Sequence, residues 1–166
     1  PISLDIDTSV VPNMLYIGER GAQRISRIDI NGNNYQIMVT DAIGVRDLEL
    51  DLKNRKIYWV RNAYADCAVV RASMDTVDTS IEELYHTTYN YDYMGIAVDT
   101  KNEQVFWTRA GGSISKCKIW RMGFDKTGMT AIFEYPDFYM SKPWDIEVFN
   151  DSLYFSDTGL HKDNVY

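Results

Sequence analysis

Arg46-Asp-Leu-Glu-Leu-Asp51, a four-residue turn, and then Lys56-Ile-Tyr-Trp59 form the stretch that decides the fold. Apolar residues alternate up to an acidic turn residue, the chain reverses, and a β-branched, aromatic strand returns. The same pair recurs three more times. Ile2-Ser-Leu-Asp-Ile-Asp7, Met94-Gly-Ile-Ala-Val-Asp99 and Trp144-Asp-Ile-Glu-Val-Phe149 repeat the first half, and Met14-Leu-Tyr-Ile17, Val105-Phe-Trp-Thr108 and Leu153-Tyr-Phe-Ser-Asp157 the second. Taken at the residue that opens each alternation, Ser3, Asp47, Gly95 and Asp145 lie 44, 48 and 50 residues apart. That is the period of a propeller blade.

A third strand follows each of the first three pairs, within Ile25–Gly32, Val69–Asp75 and Ile119–Asp125, and a fourth follows at Gln36–Val39, Glu83–Tyr85 and Ala131–Phe133. Four short strands per period make one antiparallel sheet. The turns have their own chemistry. In Asp51-Leu-Lys-Asn54 and Asp99-Thr-Lys-Asn102 the Asp is expected to accept from amides two or three residues on, with the Asn taking the left-handed conformation. Asn31-Gly32 reads as a two-residue turn between the third and fourth strands of the first repeat.

Composition agrees with one folded, all-β unit. The chain has 166 residues, 45% hydrophobic and 13% aromatic, and a net charge of −7 from 24 acidic and 17 basic residues. No basic cluster offers a nucleic acid a cationic surface. No apolar run approaches the roughly 18 residues that would cross a bilayer, and no segment holds helical spacing long enough for a long helix. Pro1 begins nothing like a signal peptide. The expectation is a start after processing or inside a longer polypeptide.

These residues resemble the YWTD repeat of low-density lipoprotein receptor-type β-propellers, in which a blade reads approximately P-x-G-L-A-V-D, a turn, L-Y-W-T-D, then I-x-R-x-x-L-D-G. Pro1 and Pro143 match the leading proline, Gly95 the glycine, and Tyr58, Trp59, Phe106, Trp107 and Thr108 the aromatic strand. Arg27, Arg71 and Arg121 match the arginine, and Asp29, Asp75 and Asp125 lie near the LDG turn. The last Asp of YWTD is kept only at Asp157. The resemblance covers nearly the whole chain, with repeats at about 1–42, 43–90, 91–140 and 141–166. It implies a β-propeller of four-stranded antiparallel blades, present here as about 3.5 of six. Another six-bladed propeller group is the alternative.

A closed ring at this period takes roughly 260 to 300 residues, so the end sheets need cover. Three explanations stand: a fragment of a longer chain, completion by a second chain, or a small open variant. The first is expected.

Cys67 and Cys117 lie four residues before Arg71 and Arg121, in segments that lengthen from 10 residues (Ile17 to Arg27) to 12 (Trp59 to Arg71) and 14 (Trp107 to Arg121). Regular strands about 10 Å apart would hold them too far apart for a disulfide. Read as loop residues, they leave a loop-to-loop disulfide and two thiols both open. His86 and His161 show no metal-ligand spacing, and no metal or other cofactor is expected. Asn150-Asp-Ser152 is a glycosylation sequon on a hairpin turn, a candidate only if the chain enters the secretory route. The resemblance implies that route and an extracellular or lumenal location.

No nucleophile, base and acid stand at a recognisable spacing, so no catalytic residue is assigned. Asp29, Asp51, Asp75, Asp99 and Asp125 are explained by turns, and Trp59 and Trp107 by packing. Asp5, Asp47, Glu49, Asp145 and Glu147 fall on the innermost strands as channel lining. The resemblance implies a noncatalytic module that binds a protein ligand or spaces neighbouring modules, without membrane insertion by this segment. Its candidate contacts are Asn62, Tyr64, Asp66, Ser113 and Lys116 in the enlarged segments, with Tyr91 and Trp144 from turns leading into inner strands. The alternatives are a secreted six-bladed lactonase or esterase with a channel metal, by fold analogy, and a structural protein built from half propellers.

Overall fold

The computed structural model describes residues 1–78, 80–89, 92–111, 116–134 and 142–158. Tyr91, Ser113 and His161 lie outside them. The described residues form four antiparallel sheets, each wound in chain order. The first holds β1 (Ser3–Asp7), β2 (Met14–Glu19), β3 (Arg24–Asp29) and β4 (Gln36–Val39). The second holds β5 (Val45–Asp51), β6 (Lys56–Ala63), β7 (Asp66–Ser73) and β8 (Glu82–Thr87). The third holds β9 (Asp92–Asp99), β10 (Gln104–Ala110), β11 (Lys118–Gly123) and β12 (Thr130–Glu134), and the fourth is seen as β13 (Pro143–Phe149) and β14 (Ser152–Asp157). The helical content of the described residues is one 3-10 turn, Arg20–Ala22, and the 3-10 residue Lys116. This is a partial β-propeller.

The period-two pattern explains why the sheets stack. On β1 and β2, Leu4 pairs with Ile17 and Ile6 with Leu15. The matching pairs are Leu48 with Trp59 and Leu50 with Ile57, then Ile96 with Trp107 and Val98 with Val105, then Ile146 with Phe155 and Val148 with Leu153. Each such apolar quartet is the rear face of a sheet. The front face carries an aromatic at one register position: Tyr16, Tyr58, Phe106 and Tyr154, opposite Asp5, Glu49, Ala97 and Glu147. Front meets rear in three cores. Tyr16 and Ile25 pack with Leu48, Leu50 and Trp59; Tyr58 and Val60 with Ile96 and Trp107; Phe106 and Ile119 with Ile146. Each fully buried large side chain adds about 1.5–3 kcal/mol.

Polar joints fix one sheet to the next. Asp5 Oδ2 accepts the Leu50 N–H at 2.8 Å, and Asp47 Oδ2 accepts that of Ile96 at 2.9 Å. The third repeat has Gly95 in place of an acid, and Thr108 makes the joint instead. Its Oγ1 accepts the Gly95 N–H at 2.8 Å and donates to the Trp144 carbonyl at 3.1 Å. A Cβ on Gly95 would lie 2.6 Å from that carbonyl oxygen, so only glycine lets β13 come this close. The repeating arginine also has a role. Arg27 Nη1 donates to Tyr16 Oη at 3.2 Å and to the Met74 carbonyl at 3.1 Å, and Arg71 Nη1 donates to Tyr58 Oη at 3.4 Å.

Several local expectations are corrected. Asp51 and Asp99 do accept the amides of Asn54 and Asn102, but the left-handed residues are Arg55 and Glu103, one position later. Each Asn side chain instead donates back to its Asp at 2.7 Å. Asn31-Gly32 is no two-residue turn. Residues 30–35 separate β3 from β4, and Asp29 holds that loop by accepting from Asn31, Asn33 and Asn34. The Asp75 carboxylate joins no turn amide; Arg55 clamps it and the fully buried Asp7, both at 2.7 Å. Cys67 lies in strand β7 rather than in a loop, because the added residues lengthen β6 and β7.

Candidate functional site

The inner strands β1, β5, β9 and β13 enclose a cavity of about 480 Å³, lined by Asp47, Glu49, Asp145 and Glu147 among others. Of these carboxyl groups, those of Asp47, Glu49 and Glu147 resist ionisation. Burial, reinforced by the charges of Asp5 and Glu147, pushes Glu49 up to about 9. Burial pushes Asp47 up to about 7 against the lowering effect of the Ile96 N–H, with Asp145 adding to the rise. Glu147 and Asp5 are raised as well, each chiefly by burial. Asp5 and Asp47 each turn one oxygen onto a neighbouring strand's amide, and no three such side chains converge as a ligand group among the described residues.

At the end of the channel where the inner strands begin, the chemistry reverses. A smaller cavity of about 240 Å³ is lined by Arg20, Arg46, Asn62, Asp92, Met94, Lys142 and Trp144. Trp144 is the hub: the Arg46 guanidinium carbon stands 4.7 Å from its ring centroid and Lys142 Nζ 5.2 Å. Burial, followed by the charge of nearby Arg20, lowers the pKa of Arg46, so the two guanidinium groups repel across the cavity. Asn62 holds the wall. Its Nδ2 donates to the Tyr93 carbonyl at 3.1 Å, and its own carbonyl accepts Arg20 Nη2 at 3.5 Å. An anion entering this mouth would meet the three cations Arg20, Arg46 and Lys142 against the one carboxylate of Asp92.

Of the residues expected from sequence, the structure brings Asn62 and Trp144 together here, with Trp144 half-buried at the surface and Trp59 and Trp107 in the core. Tyr64 is strongly exposed at the β6–β7 turn, outside the mouth. Asp66 pairs with Arg61 at 2.9 Å and His86 at 3.2 Å, in a surface cluster that Glu83 joins through Arg61. Lys116 is exposed, and its carbonyl accepts Arg109 Nε at 2.6 Å. Tyr91 and Ser113 lie outside the described residues. Asn150 is exposed at the β13–β14 turn, with φ of 49°.

The loop-to-loop disulfide is not formed. Cys67 is buried in the core between the second and third sheets and Cys117 in that between the third and fourth, so β10 and β11 stand between them. Sequence reasoning missed Arg20, Arg46, Asp92, Met94 and Lys142. The available signal was register: Arg46 and Trp144 stand immediately before the acid that opens each alternation.

No protein-family model matches the chain, and no curated protein matches it by sequence. Solved structures do. A chain in the crystal structure of a nidogen/laminin complex is 17% identical and superposes with a TM-score of 0.71, over 94% of this chain and 71% of that one. A streptogramin B lyase is 15% identical with a TM-score of 0.72, over 95% of this chain and 48% of that one. A gluconolactonase from Xanthomonas campestris is 15% identical with a TM-score of 0.65, over 87% and 52%. The chain thus spans about half the length of these two enzymes, and the likeness in all three cases is one of fold: a β-propeller.

Proposed function

We propose that this chain is a YWTD-type propeller segment, with repeats at about 1–42, 43–90, 91–140 and 141–166, that works outside the cell or in the secretory lumen as a noncatalytic protein-binding module. Its partner presents an acidic side chain to the Trp144 mouth. The observation that carries this reading is the convergence of Arg20, Arg46 and Lys142 around one indole on a protein of net charge −7. The likeness to a chain of the nidogen/laminin complex supports protein binding. Arg46 and Lys142 stand over the part-exposed Trp144 ring, so charge and aromatic surface lie side by side, a combination common at binding hot spots.

The test is a displayed peptide library sorted on the purified chain, with each selected Asp or Glu replaced by Asn or Gln. Acidic peptides should be enriched, should weaken with salt, and should bind about tenfold or more weakly to Arg46→Ala and Lys142→Ala variants. Equal binding of the neutral peptides would sink the reading.

A second, enzymatic reading rests on the likeness to a lyase and a gluconolactonase and on Glu49 and Asp47, two channel acids raised to about 9 and about 7. A panel of lactones and esters separates the two. Turnover that disappears in Glu49→Gln supports the enzyme, and a blank panel supports the binding module.

A further inference from the structure

The repeating arginine is anchored alike in the first two sheets but completed differently. Arg27 and Arg71 pair with Tyr16 and Tyr58 on one neighbouring strand and with Gln36 and Glu82 on the other. In the second sheet the guanidinium meets a carboxylate: Arg71 Nε and Nη2 both donate to Glu82 Oε2 at 2.8 Å. Lys126 takes the other oxygen of Glu82 at 2.8 Å, and Phe124 packs on Tyr58 with 5.3 Å between ring centroids. In the first sheet an amide stands where that carboxylate would be. Gln36 Oε1 accepts from Arg27 Nη2 at 2.8 Å, and Arg27 Nε is buried with no acceptor. A buried donor on a charged group is costly to leave unmade.

Arg27 lines a cavity of about 350 Å³ between the first and second sheets, beside the end of β1. Part of its wall is apolar, from Val10, Val11, Pro12 and Met14, and Val11 is 99% exposed. The rest is charged but balanced. Arg55 holds Asp7 and Asp75, each at 2.7 Å, so one cation answers two acids there. Arg27 brings the wall to neutrality, and it is the lining cation with no carboxylate on it.

We propose that this cavity binds a monocarboxylate with a short aliphatic tail, as a free branched acid or as the C-terminal residue of a peptide. The carboxylate takes the Nε and Nη2 hydrogens of Arg27, the place that Glu82 fills on Arg71, and the exposed Gln36 side chain turns aside. That edge of a guanidinium matches two carboxylate oxygens. The tail lies on Val10, Val11 and Met14, in a volume at the small end of ligand pockets. A second carboxylate would find Asp7 and Asp75 and no further cation, so the site takes one negative charge.

NMR of the isotope-labelled chain tests this. Isovalerate should shift the Arg27 Nε–H and the methyl resonances of Val10, Val11 and Met14 saturably, and the neutral isovaleramide and the dicarboxylate glutarate should bind about tenfold or more weakly. Gln36→Glu, at an exposed position, gives Arg27 the carboxylate that Arg71 already has. It should keep the thermal midpoint and weaken isovalerate binding about tenfold or more. N-acetyl-glycyl-valine with a free C-terminus distinguishes the sources: binding tighter than that of isovalerate assigns the site to a chain terminus, and weaker binding to a free acid. No saturable shift with either ligand, equal binding of isovaleramide or glutarate, or undiminished binding by Gln36→Glu would overturn the proposal.

Discussion

Replacing Thr108 with Val keeps the volume of the side chain and removes only its hydroxyl, so it isolates the joint between the third and fourth sheets. Thr108 is fully buried, and its Oγ1 is both the acceptor for the Gly95 N–H and the donor to the Trp144 carbonyl. Without it, a buried N–H and a half-buried C=O lose their partner. An orphaned buried polar group costs about 1–3 kcal/mol, and the Trp144 carbonyl, nearer to water, belongs at the low end. The expected loss is about 2–4 kcal/mol in total. Thr108→Ser is the control: it keeps the hydroxyl and loses one methyl group, worth about 1 kcal/mol. Urea unfolding of the three chains gives the differences, and hydrogen exchange at the Gly95 amide shows whether the loss is at the joint. Because the same bond holds the Trp144 backbone at the mouth, Thr108→Val should also weaken acidic-peptide binding. Equal destabilisation by Val and Ser would refute the reasoning, since the hydroxyl would then carry nothing.

Arg55→Ala removes the clamp on Asp7, whose side chain is almost wholly buried while that of Arg55 is part-exposed; with the hydrogen bonds of Ser9 remaining, the cost should be about 2–3 kcal/mol by thermal or urea unfolding, and a loss below half a kcal/mol would contradict it. The channel acids predict an unusual pH profile. Glu49 and Asp47, at about 9 and about 7 when folded against ordinary values of 4.5 and 3.8, hold protons in the folded chain that the unfolded chain has released, so their contribution falls as pH rises from the ordinary carboxyl range through 7 and on to 9. Glu19, held at about 2 chiefly by its bond to Arg24, works the other way and loses its contribution as pH falls below its ordinary 4.5. The thermal midpoint should therefore peak in mildly acidic solution, and Glu49→Gln should flatten the decline above the peak; a midpoint that climbs steadily from pH 5 to 8 would refute this.

Most of the fold was legible because stacking sheets leave little freedom at the rear-face positions. Leu48, Ile96 and Ile146 are all aliphatic since each fits against an aromatic of the sheet before it, and that repetition is visible in one sequence. Turn acids were legible for the same reason: Asp51, Asp99 and Asp29 hold amides within a few residues of themselves. What escaped was the side-chain contacts made across long stretches of chain. Arg55 reaches Asp7 and Asp75 across 48 and 20 residues, so Asp75 passed for another turn acid. Cys67 and Cys117 looked like loop neighbours because the extra residues were read as loop; Cys117 does stand outside the strands, one residue before β11, whereas extending β6 and β7 takes Cys67 into a ladder that satisfies its backbone groups. Of the inner-strand acids read as lining, Asp47, Glu49, Asp145 and Glu147 line the cavity and Asp5 does not, and Asp5 and Asp47 accept amides of the neighbouring strand, which no local pattern announces.

The site lies where the repeat stops repeating. One register position before the residue that opens each alternation stand Ile2, Arg46, Met94 and Trp144, and all four line the axial cavity. Two positions further on, the same strands carry Leu4, Leu48, Ile96 and Ile146 without exception. Both positions are set by the same backbone and border the same cavity, but Leu48, Ile96 and Ile146 at the second are pressed between sheets. The first lies toward the end of the channel where the inner strands begin, and there an aliphatic, a cation, a thioether and an indole each occupy it. Within a protein whose sheets are near-copies, chemical variety at a fixed geometric position marks a surface released from the demands of folding. The cation and the indole meet there at 4.7 Å although 98 residues separate them, because adjacent and alternate blades bring equivalent positions to one axis.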